Sequence, residues 1–184
     1  MTRVAVFASS SDKIRDGYLL AAREIGRLLA VAGLEIVYGG TYEGAMYACA
    51  HAASVNHGKI IGVVPFQLQQ TAAIEDGIQL LFTKDISSRK AKMNSLCDAV
   101  VVLPGGFGTL DELTEILACK TLGIYNKPIV ILNTEGFYDS LLRFFDEIVA
   151  QQLAEYSVVP VNQLYAVVDT PAAVMTSLSR YLSE

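Results

Sequence analysis

A glycine-rich turn followed by two acids is the part of this chain whose residue types could do chemistry. The turn, Pro104-Gly105-Gly106-Phe107-Gly108-Thr109, follows the apolar run Ala99–Leu103 and precedes Glu112 and Glu115. The apolar run predicts a buried strand, and the residues after the glycines predict the first turns of a helix. Free backbone N–H groups and the positive end of the helix dipole meet at a helix N-terminus. The pattern therefore predicts an anion site that suits a phosphate.

The individual residues of the turn fit either a ligand site or ordinary packing. Glycine allows positive φ and a close approach of the backbone to a ligand, and Thr109 is expected to cap the helix and offer a hydroxyl. Glu112 and Glu115 are spaced i,i+3 and share one helix face. Glycine-rich turns also serve packing alone in α/β proteins, and acids in a first helical turn complement the dipole. Spacing alone leaves both interpretations open.

Two common phosphate-binding fingerprints are missing from the sequence. The dinucleotide pattern G-x-G-x-x-G does not occur, and neither does G-x-x-x-x-G-K-[ST]. The segment Gly39–Gly44 has the four-residue gap of the second pattern, but Ala45 stands where a lysine is required. A P-loop nucleotide hydrolase is therefore disfavoured.

Composition limits the class of protein. The 184 residues are 52% hydrophobic and 18% charged, which predicts a single domain over 1–184 with a full core. Met1–Phe7 has no basic leader, and no stretch reaches the roughly 18 apolar residues of a membrane helix. Three widely spaced cysteines fit reduced thiols, and two histidines make no plausible metal set. We expect a cytoplasmic protein without a metal site or membrane contact.

The elements that must position the glycine-rich turn alternate along the chain. Predicted strands are 3–8, 34–38, 59–64, 78–82, 98–103, 128–132 and 164–168, and predicted helices are 18–32, 43–56, 85–97, 109–123, 137–153 and 171–182. Near-continuous apolar strands that alternate with helices predict an α/β fold, with a mostly parallel sheet covered on both faces. This is a Rossmann-like three-layer sandwich.

Ligands in such sheets bind beyond the carboxyl ends of the strands. The loops after Ala8, Tyr38 and Leu103 all lie at that edge of the predicted sheet. Residues 66–77 are predicted as a loop or short helix over a pocket, because their glutamines fit neither a strand nor a core helix.

Two motifs at a characteristic separation carry a resemblance to a known family. Asp85-Ile86-Ser87-Ser88-Arg89-Lys90-Ala91, with its Arg-Lys pair, is followed by a P-G-G-x-G-T-x-x-E motif that ends at Glu112. Together they resemble the LOG family, the cytokinin riboside 5′-monophosphate phosphoribohydrolases. The resemblance spreads along most of the chain, through Val6–Ser10, Tyr38–Gly40, Val63–Pro65, Leu122-Gly123, Lys127-Pro128 and Leu132–Tyr138.

The resemblance implies hydrolysis of the N-glycosidic bond of a nucleoside 5′-monophosphate, giving free base and ribose 5-phosphate. Such cleavage passes through a cationic, oxocarbenium-like sugar, which a carboxylate beside the anomeric carbon stabilises. Glu112 is the candidate for that carboxylate, or for the base that activates water. Arg89 is expected to hold Glu112 ionised and oriented, or to contact the substrate. The family needs no cofactor and forms homodimers with sites near the interface.

The same resemblance assigns further residues to substrate binding. The predicted set is Ser9, Ser10, Gly40, Lys90, Met93, Gly105, Gly106, Phe107, Gly108, Thr109 and Glu115. The turn is expected to hold the phosphate through backbone N–H groups, and Lys90 to support the phosphate or the base. A solvated helix face for Glu115 and core packing for Met93 are equal alternatives. Asp111 lies about 100° around the helix from Glu112 and is expected to be structural.

Several positions depart from the family pattern. Ala8 and Ser9 stand where the family usually has Cys-Gly, and Thr41 and Tyr47 stand where it usually has glycine. The glutamate expected after the third strand has no clear match, and Glu75 is the one candidate to replace it. These positions shape the base and sugar pocket, so the sequence leaves the base unidentified.

Two other functions are compatible with this type of fold. A non-catalytic nucleotide or cofactor carrier, similar to the molybdenum-cofactor carrier proteins, needs a phosphate cradle but no pair such as Arg89 and Glu112. The altered pocket residues favour the carrier, whereas the retained pair favours the enzyme. Nucleic-acid binding is disfavoured by the net charge of −5.

Overall fold

The computed structural model describes residues 2–154 and 157–182. Its strands are β1 Arg3–Phe7, β2 Glu35–Tyr38, β3 Ile60–Pro65, β4 Ile78–Thr83, β5 Ala99–Val102, β6 Ile129–Leu132 and β7 Ala166–Val168. Its α-helices are α1 Asp16–Val31, α2 Gly44–Ser54, α3 Ile86–Leu96, α4 Phe107–Thr121, α5 Asp139–Ala150 and α6 Pro171–Leu182, and 3₁₀ turns span Phe66–Thr71, Thr134–Gly136 and Val161–Gln163. The predicted domain 1–184 also includes Met1, Glu155, Tyr156, Ser183 and Glu184, which lie outside the described residues.

All of these strands pair in parallel in one sheet, in the order β4-β3-β2-β1-β5-β6-β7. Strands β1, β2, β3, β5 and β6 are buried along nearly their whole length, because helices cover both faces. The edge strands β4 and β7 are partly exposed. The predicted α/β sandwich with a parallel sheet is confirmed.

The sheet separates two hydrophobic cores. Helices α1, α2 and α6 pack on one face, where Ile25, Cys49 and Leu178 are fully buried. Helices α3, α4 and α5 pack on the other face, around residues such as Leu113 and Tyr138. The amphipathic helix predicted at 137–153 is α5, and its apolar side packs against this second core. None of the described helices is long and apolar enough to cross a membrane.

The strand order reverses between β1 and β5. From β1 the chain builds the sheet outward through β2, β3 and β4, and it then returns to β5 on the opposite side of β1. The loops after β1 and β5 leave adjacent strands at the same edge, and Ser9 N–H donates to the carbonyl oxygen of Pro104 at 3.3 Å. Parallel sheets bind ligands at such a switch point because the diverging loops leave a crevice.

Candidate active site

A cavity of about 490 Å³ lies at this switch point. A cavity of this size falls within the range of small-molecule sites. Its walls come from the loops after β1, β2 and β5, from the 3₁₀ turn Phe66–Thr71 and from the first turns of α3 and α4. The lining residues are Ala8, Ser9, Ser10, Ser11, Thr41, Glu43, Met46, Leu68, Thr71, Ile86, Arg89, Lys90, Gly106, Phe107, Gly108, Thr109, Asp111 and Glu112.

A buried ion pair joins α3 to α4 in the cavity wall. Arg89 Nη2 donates to Glu112 Oε1 at 2.9 Å, and the two side chains are only 13% and 9% exposed. Asp85 caps α3 by accepting from the N–H of Ser88 at 2.8 Å, which fixes the helix turn that carries Arg89. The predicted proximity of Arg89 and Glu112 is therefore present in the structure.

Burial gives Glu112 an unusual proton affinity. Removal of the carboxyl group from water raises the pKa of Glu112 to about 7, although the positive charges of Arg89 and Lys90 oppose this increase. Asp111 contributes a further increase through like-charge repulsion. A carboxyl group with a pKa near neutrality suits acid–base chemistry at physiological pH.

A second set of charges lies beside the first. Lys90 Nζ contacts Asp111 Oδ1 and Oδ2 at 2.9 and 2.8 Å and Glu115 Oε2 at 2.5 Å. These two carboxylates raise the pKa of Lys90, so its ammonium group stays charged. Glu115 contacts Lys90 and does not belong to the cavity lining, whereas Asp111 does belong to it. Asp111 was expected to be only structural, but it lines the cavity. The sequence contained a signal for this: Arg89 and Lys90 are adjacent, as are Asp111 and Glu112, so a pair between Arg89 and Glu112 suggests a second pair between Lys90 and Asp111.

The glycine-rich turn leads directly into α4. The helix begins at Phe107, two residues earlier than predicted, and Gly106 is its N-cap residue. Thr109 is therefore in the third helical position, and the prediction that it caps the helix is wrong. The first N–H groups of a helix have no partner inside it, so those of Phe107, Gly108 and Thr109 are available to an anion in the cavity.

The glycines of the turn have different surroundings. A Cβ atom at Gly106 or Gly108 would meet no heavy atom within 4 Å, and both residues line the cavity. A Cβ atom at Gly105 would clash with the side chain of Thr109, so Gly105 allows Thr109 to fold back over the turn. Phe107 projects into solvent at the cavity mouth with 93% of its surface exposed.

The serine loop after β1 forms the opposite wall. Ser9 is buried, and its Oγ accepts from the N–H of Ser11 at 3.0 Å. The carbonyl oxygen of Ser9 accepts from the N–H of Met46 at 3.1 Å, which ties the loop to the first turn of α2. Ser10 is exposed and lines the cavity, as predicted from its place at the carboxyl edge.

Gly105 and Glu115 lie outside the cavity lining, and so do two further predicted binding residues, Gly40 and Met93. Gly40 has φ of +77°, and a Cβ atom there would clash with Val64, so its absent side chain serves packing against β3. Met93 is 1% exposed and belongs to the core on the α3 face. It follows Arg89 by four residues, which places it about 6 Å farther along α3 from the carboxyl edge of the sheet. Core packing, the alternative for Met93, is what the structure shows.

Glu75 does not replace the missing family glutamate. Its carboxylate accepts from the Tyr47 hydroxyl at 2.8 Å and contacts His51 Nδ1 at 3.0 Å. None of these three residues lines the cavity. The acid therefore belongs to a separate surface cluster on the α2 side.

One further wall of the cavity is formed by Thr41, Glu43, Met46, Leu68, Thr71 and Ile86, of which the sequence did not indicate Glu43, Met46 or Ile86 as pocket residues. Thr41 is 3% exposed and forms an antiparallel bridge with Ala72, which holds the 3₁₀ turn Phe66–Thr71 over the cavity. The predicted short helix over a pocket is thus confirmed. The signal for Thr41 was its place directly after Gly39 and Gly40, where the resemblance implies a third glycine in the base and sugar pocket.

The comparisons with known proteins agree on a family. The family model described as "Possible lysine decarboxylase" matches residues 46–178. A probable cytokinin riboside 5′-monophosphate phosphoribohydrolase of Oryza sativa subsp. japonica is 34% identical over 180 residues, covering 97% of this chain and 71% of the relative. A cytokinin riboside 5′-monophosphate phosphoribohydrolase of Arabidopsis thaliana is 34% identical over 172 residues, covering 93% of this chain and 78% of the relative.

Solved structures share the fold. The molybdenum cofactor carrier protein of Chlamydomonas reinhardtii is similar with a TM-score of 0.76 at 22% identity, covering 100% of this chain and 99% of that chain. The molybdenum cofactor binding protein of Rippkaea orientalis has a TM-score of 0.74 at 20% identity, covering 98% of this chain and 97% of that chain. At these identities the likeness concerns the fold alone.

Proposed function

The chain belongs to the LOG family of cytokinin riboside 5′-monophosphate phosphoribohydrolases, and we propose that it hydrolyses the N-glycosidic bond of a nucleoside 5′-monophosphate. The products are the free base and ribose 5-phosphate. The observation that carries this proposal is the buried Arg89–Glu112 pair in the same cavity as the N-terminus of α4. One part of the cavity suits a phosphate, and the other supplies a carboxylate.

In the proposed reaction the bond from the anomeric carbon to the base nitrogen breaks with its electrons going to the base. Ionised Glu112 stabilises the positive charge that develops on the sugar, or deprotonates the attacking water. The water oxygen bonds to the anomeric carbon, and its proton balances the charge on the departing base. Arg89 keeps the Glu112 carboxylate in place and lowers its pKa.

The phosphate would be held by backbone groups rather than by a free lysine. The N–H groups of Phe107, Gly108 and Thr109 have no partner inside α4, and Ser9 and Ser10 line the same cavity. Lys90 contributes positive charge from the rim while Asp111 and Glu115 fix its position. Glu115 therefore acts through Lys90 in this proposal.

The positions of the lysines do not favour decarboxylase chemistry. Lys90 is the only lysine in the cavity lining of the described chain, and its ammonium group is held by two carboxylates that raise its pKa. An amine that forms a Schiff base needs a lowered pKa. Phosphoribohydrolase chemistry fits this arrangement better.

We also propose a homodimer in the cytoplasm. The family resemblance implies two sites near a subunit interface, and the exposed side chains of Phe107 and Ile86 at the cavity mouth offer apolar surface for such a contact. The cysteines Cys49, Cys97 and Cys119 are free, which fits a reducing compartment. Light scattering of the purified protein measures the oligomeric state, and a monomer at micromolar concentration would contradict the dimer.

The decisive experiment is a screen of nucleoside 5′-monophosphates for released base. Substrates should include AMP, other common nucleotides and an N6-substituted adenosine monophosphate, with Glu112→Gln as the matched variant. We expect base release by the native protein and a loss of at least about 100-fold in the variant. Nucleotide binding without release from any substrate would instead favour the non-catalytic carrier.

A further inference from the structure

A buried tyrosine outside the cavity contacts the glycine-rich turn from behind. Tyr138 is the N-cap residue of α5 and is 1% exposed. Its hydroxyl donates to the carbonyl oxygen of Leu103 at 2.7 Å. Its phenolic oxygen also interacts with the backbone N–H of Gly105, which lowers the pKa of Tyr138 against the larger increase caused by burial. The side chain thus bridges the two residues on either side of Pro104.

The sheet itself leaves the Leu103 carbonyl group without its regular partner. Leu103 N–H donates to Phe7 carbonyl oxygen at 2.8 Å, in continuation of the β1–β5 ladder. In a regular parallel ladder the N–H of Ser9 would then bond to the carbonyl oxygen of Leu103. Instead, Ser9 N–H bonds to the carbonyl oxygen of Pro104, one residue later. The chain therefore leaves the ladder at Leu103, and Tyr138 supplies the donor that the sheet no longer provides.

Tyr138 is itself fixed by the end of the neighbouring strand. The Tyr138 backbone N–H donates to Asn133 Oδ1 at 2.7 Å, and Asn133 Nδ2 donates to Asp139 Oδ1 at 2.8 Å. Asn133 directly follows β6, and its N–H donates to Val168 carbonyl oxygen at the end of β7 at 2.8 Å. A continuous set of hydrogen bonds thus connects the β6 and β7 ends to the turn after β5.

We propose that Tyr138 is a positioning residue that sets the backbone of the Gly105–Gly106 turn so that the first N–H groups of α4 meet the substrate phosphate. Removal of its hydroxyl leaves the buried Leu103 carbonyl oxygen unpaired. The Ser9 N–H can then return to its regular partner, which draws the turn away from its present course. The consequence is weaker phosphate binding, with no direct effect on the Arg89–Glu112 pair.

The test compares two Tyr→Phe variants in the same core. Tyr138→Phe removes the contact with the turn, whereas Tyr125→Phe removes a buried hydroxyl whose neighbour is Cys97 Sγ at 3.9 Å. The probes are inorganic phosphate and ribose 5-phosphate, measured by calorimetry, with an unphosphorylated nucleoside for comparison. We expect Tyr138→Phe to weaken both phosphate probes about tenfold and to leave nucleoside affinity unchanged. Tyr125→Phe should change none of them.

Kinetics add a readout that a general loss of stability would not give. Insofar as this inference rests on the proposed hydrolysis, Tyr138→Phe should raise KM for a nucleoside 5′-monophosphate about tenfold while kcat changes less than twofold. If the native protein binds phosphate but releases no base, the proposed function fails and the binding comparison still decides the role of Tyr138. Unchanged phosphate affinity in Tyr138→Phe, an equal loss in Tyr125→Phe, or no phosphate binding by the native protein would overturn the inference.

The role of Tyr138 can be tested with a less disruptive variant, Asp139→Ala, if Tyr138→Phe does not fold. Asp139 is exposed, and Asp139→Ala removes the acceptor that orients the Asn133 amide without altering the core. It should weaken phosphate binding in the same direction and by a smaller factor. No change in phosphate affinity in this variant, with Tyr138→Phe unfolded, would contradict the proposed set of hydrogen bonds.

Discussion

The guanidinium group of Arg89 lies directly against the backbone of Gly39. A Cβ atom at residue 39 would stand 2.7 Å from Arg89 Nη2, the same nitrogen that donates to Glu112. It would also stand 2.5 Å from Met46 Sδ. The glycine after β2 is therefore needed for space rather than for a positive φ, and it couples the β2 loop to the ion pair in the cavity.

Gly39→Ala should impair catalysis more than folding. The atoms that a new methyl group meets are the ends of flexible side chains, so Arg89 and Met46 can move while the backbone stays in place. Displacement of Nη2 by about 1 Å from Glu112 is expected to lower kcat/KM about 100-fold. Steady-state kinetics and thermal unfolding of the same preparation measure the two effects. Full activity in the variant would show that the guanidinium position is not critical.

The rate should depend on pH through Glu112. Because the pKa of Glu112 is raised to about 7 and the ionised carboxylate is the proposed catalytic form, kcat/KM should increase with pH and level off above about 7. The charge of Arg89 lowers the pKa of Glu112. Because Gly39→Ala weakens the contact between these two residues, the pKa should increase, and the rising part of the rate profile should move to higher pH. A profile measured between pH 5 and 9 decides this. A rate that falls through this range would assign the protonated acid instead.

The stability of the ligand-free protein should also depend on the ionisation of Glu112, but it should decrease with increasing pH, whereas the rate increases. Below pH 4.5, the ordinary value, Glu112 is protonated in both the folded and unfolded states. Between about 4.5 and 7 only the unfolded state ionises, so the free energy of unfolding falls, by up to about 3 kcal/mol, and is then constant. Urea unfolding of the native protein and Glu112→Gln across this range gives the difference. An equal pH dependence in both would show that Glu112 is not the group responsible.

Lys90 is expected to support binding through charge. Lys90→Met leaves Asp111 and Glu115 without their shared cation beside the proposed phosphate site. The extra negative charge should raise KM by on the order of fivefold, about 1 kcal/mol, and added salt should reduce the effect. It should also raise the pKa of Glu112, because Lys90 lowers it. Lys90→Arg keeps the charge and is the matched control. Equal KM values in the two variants would indicate a role other than charge.

The main architecture was predictable because it depends on patterns that are local in sequence. The apolar runs and the helices between them indicated the parallel sheet, and the placement of loops at the carboxyl edge brought Ser9 and Ser10 to the glycine-rich turn. The i,i+3 spacing correctly placed Glu112 and Glu115 along one side of α4. This spacing could not show that Glu112 lines the cavity while Glu115 forms an ion pair with Lys90.

The positions of individual side chains in the site could not be predicted, because they depend on distances along each helix and between neighbouring helices and strands. Met93 shares a face with Arg89, yet one helical turn of depth moves it from the cavity edge into the core. Threonine is a common N-cap residue, but α4 begins two residues before Thr109, with Gly106 as its N-cap, and the Thr109 side chain packs against Gly105. Asp111 lines the cavity together with Glu112, although the two lie about 100° apart around α4. These outcomes follow from packing, which a periodic pattern does not encode.

Thr41 is the residue that we expect to have the largest effect on which base this protein accepts, compared with other members of the family. Its side chain is buried in the cavity wall, where the resemblance implies a glycine, and it therefore narrows the space proposed for the base and sugar. Thr41→Gly should raise the ratio of kcat/KM for an N6-substituted adenosine monophosphate over that for AMP by about tenfold, since a pocket change of a few atoms is worth roughly 1–3 kcal/mol.

Two further variants separate the bulk of Thr41 from its hydroxyl. Thr41→Val keeps the volume and Thr41→Ser keeps the hydroxyl, so steric selection predicts that Val resembles the native protein and Ser lies between native and Gly. The Thr41 Oγ has no hydrogen-bond partner among the described residues, which permits a contact with a ligand group instead. In that case Ser would resemble the native protein and Val would lose activity on every substrate. The order of the three variants on two substrates therefore identifies whether shape or hydrogen bonding at Thr41 selects the base.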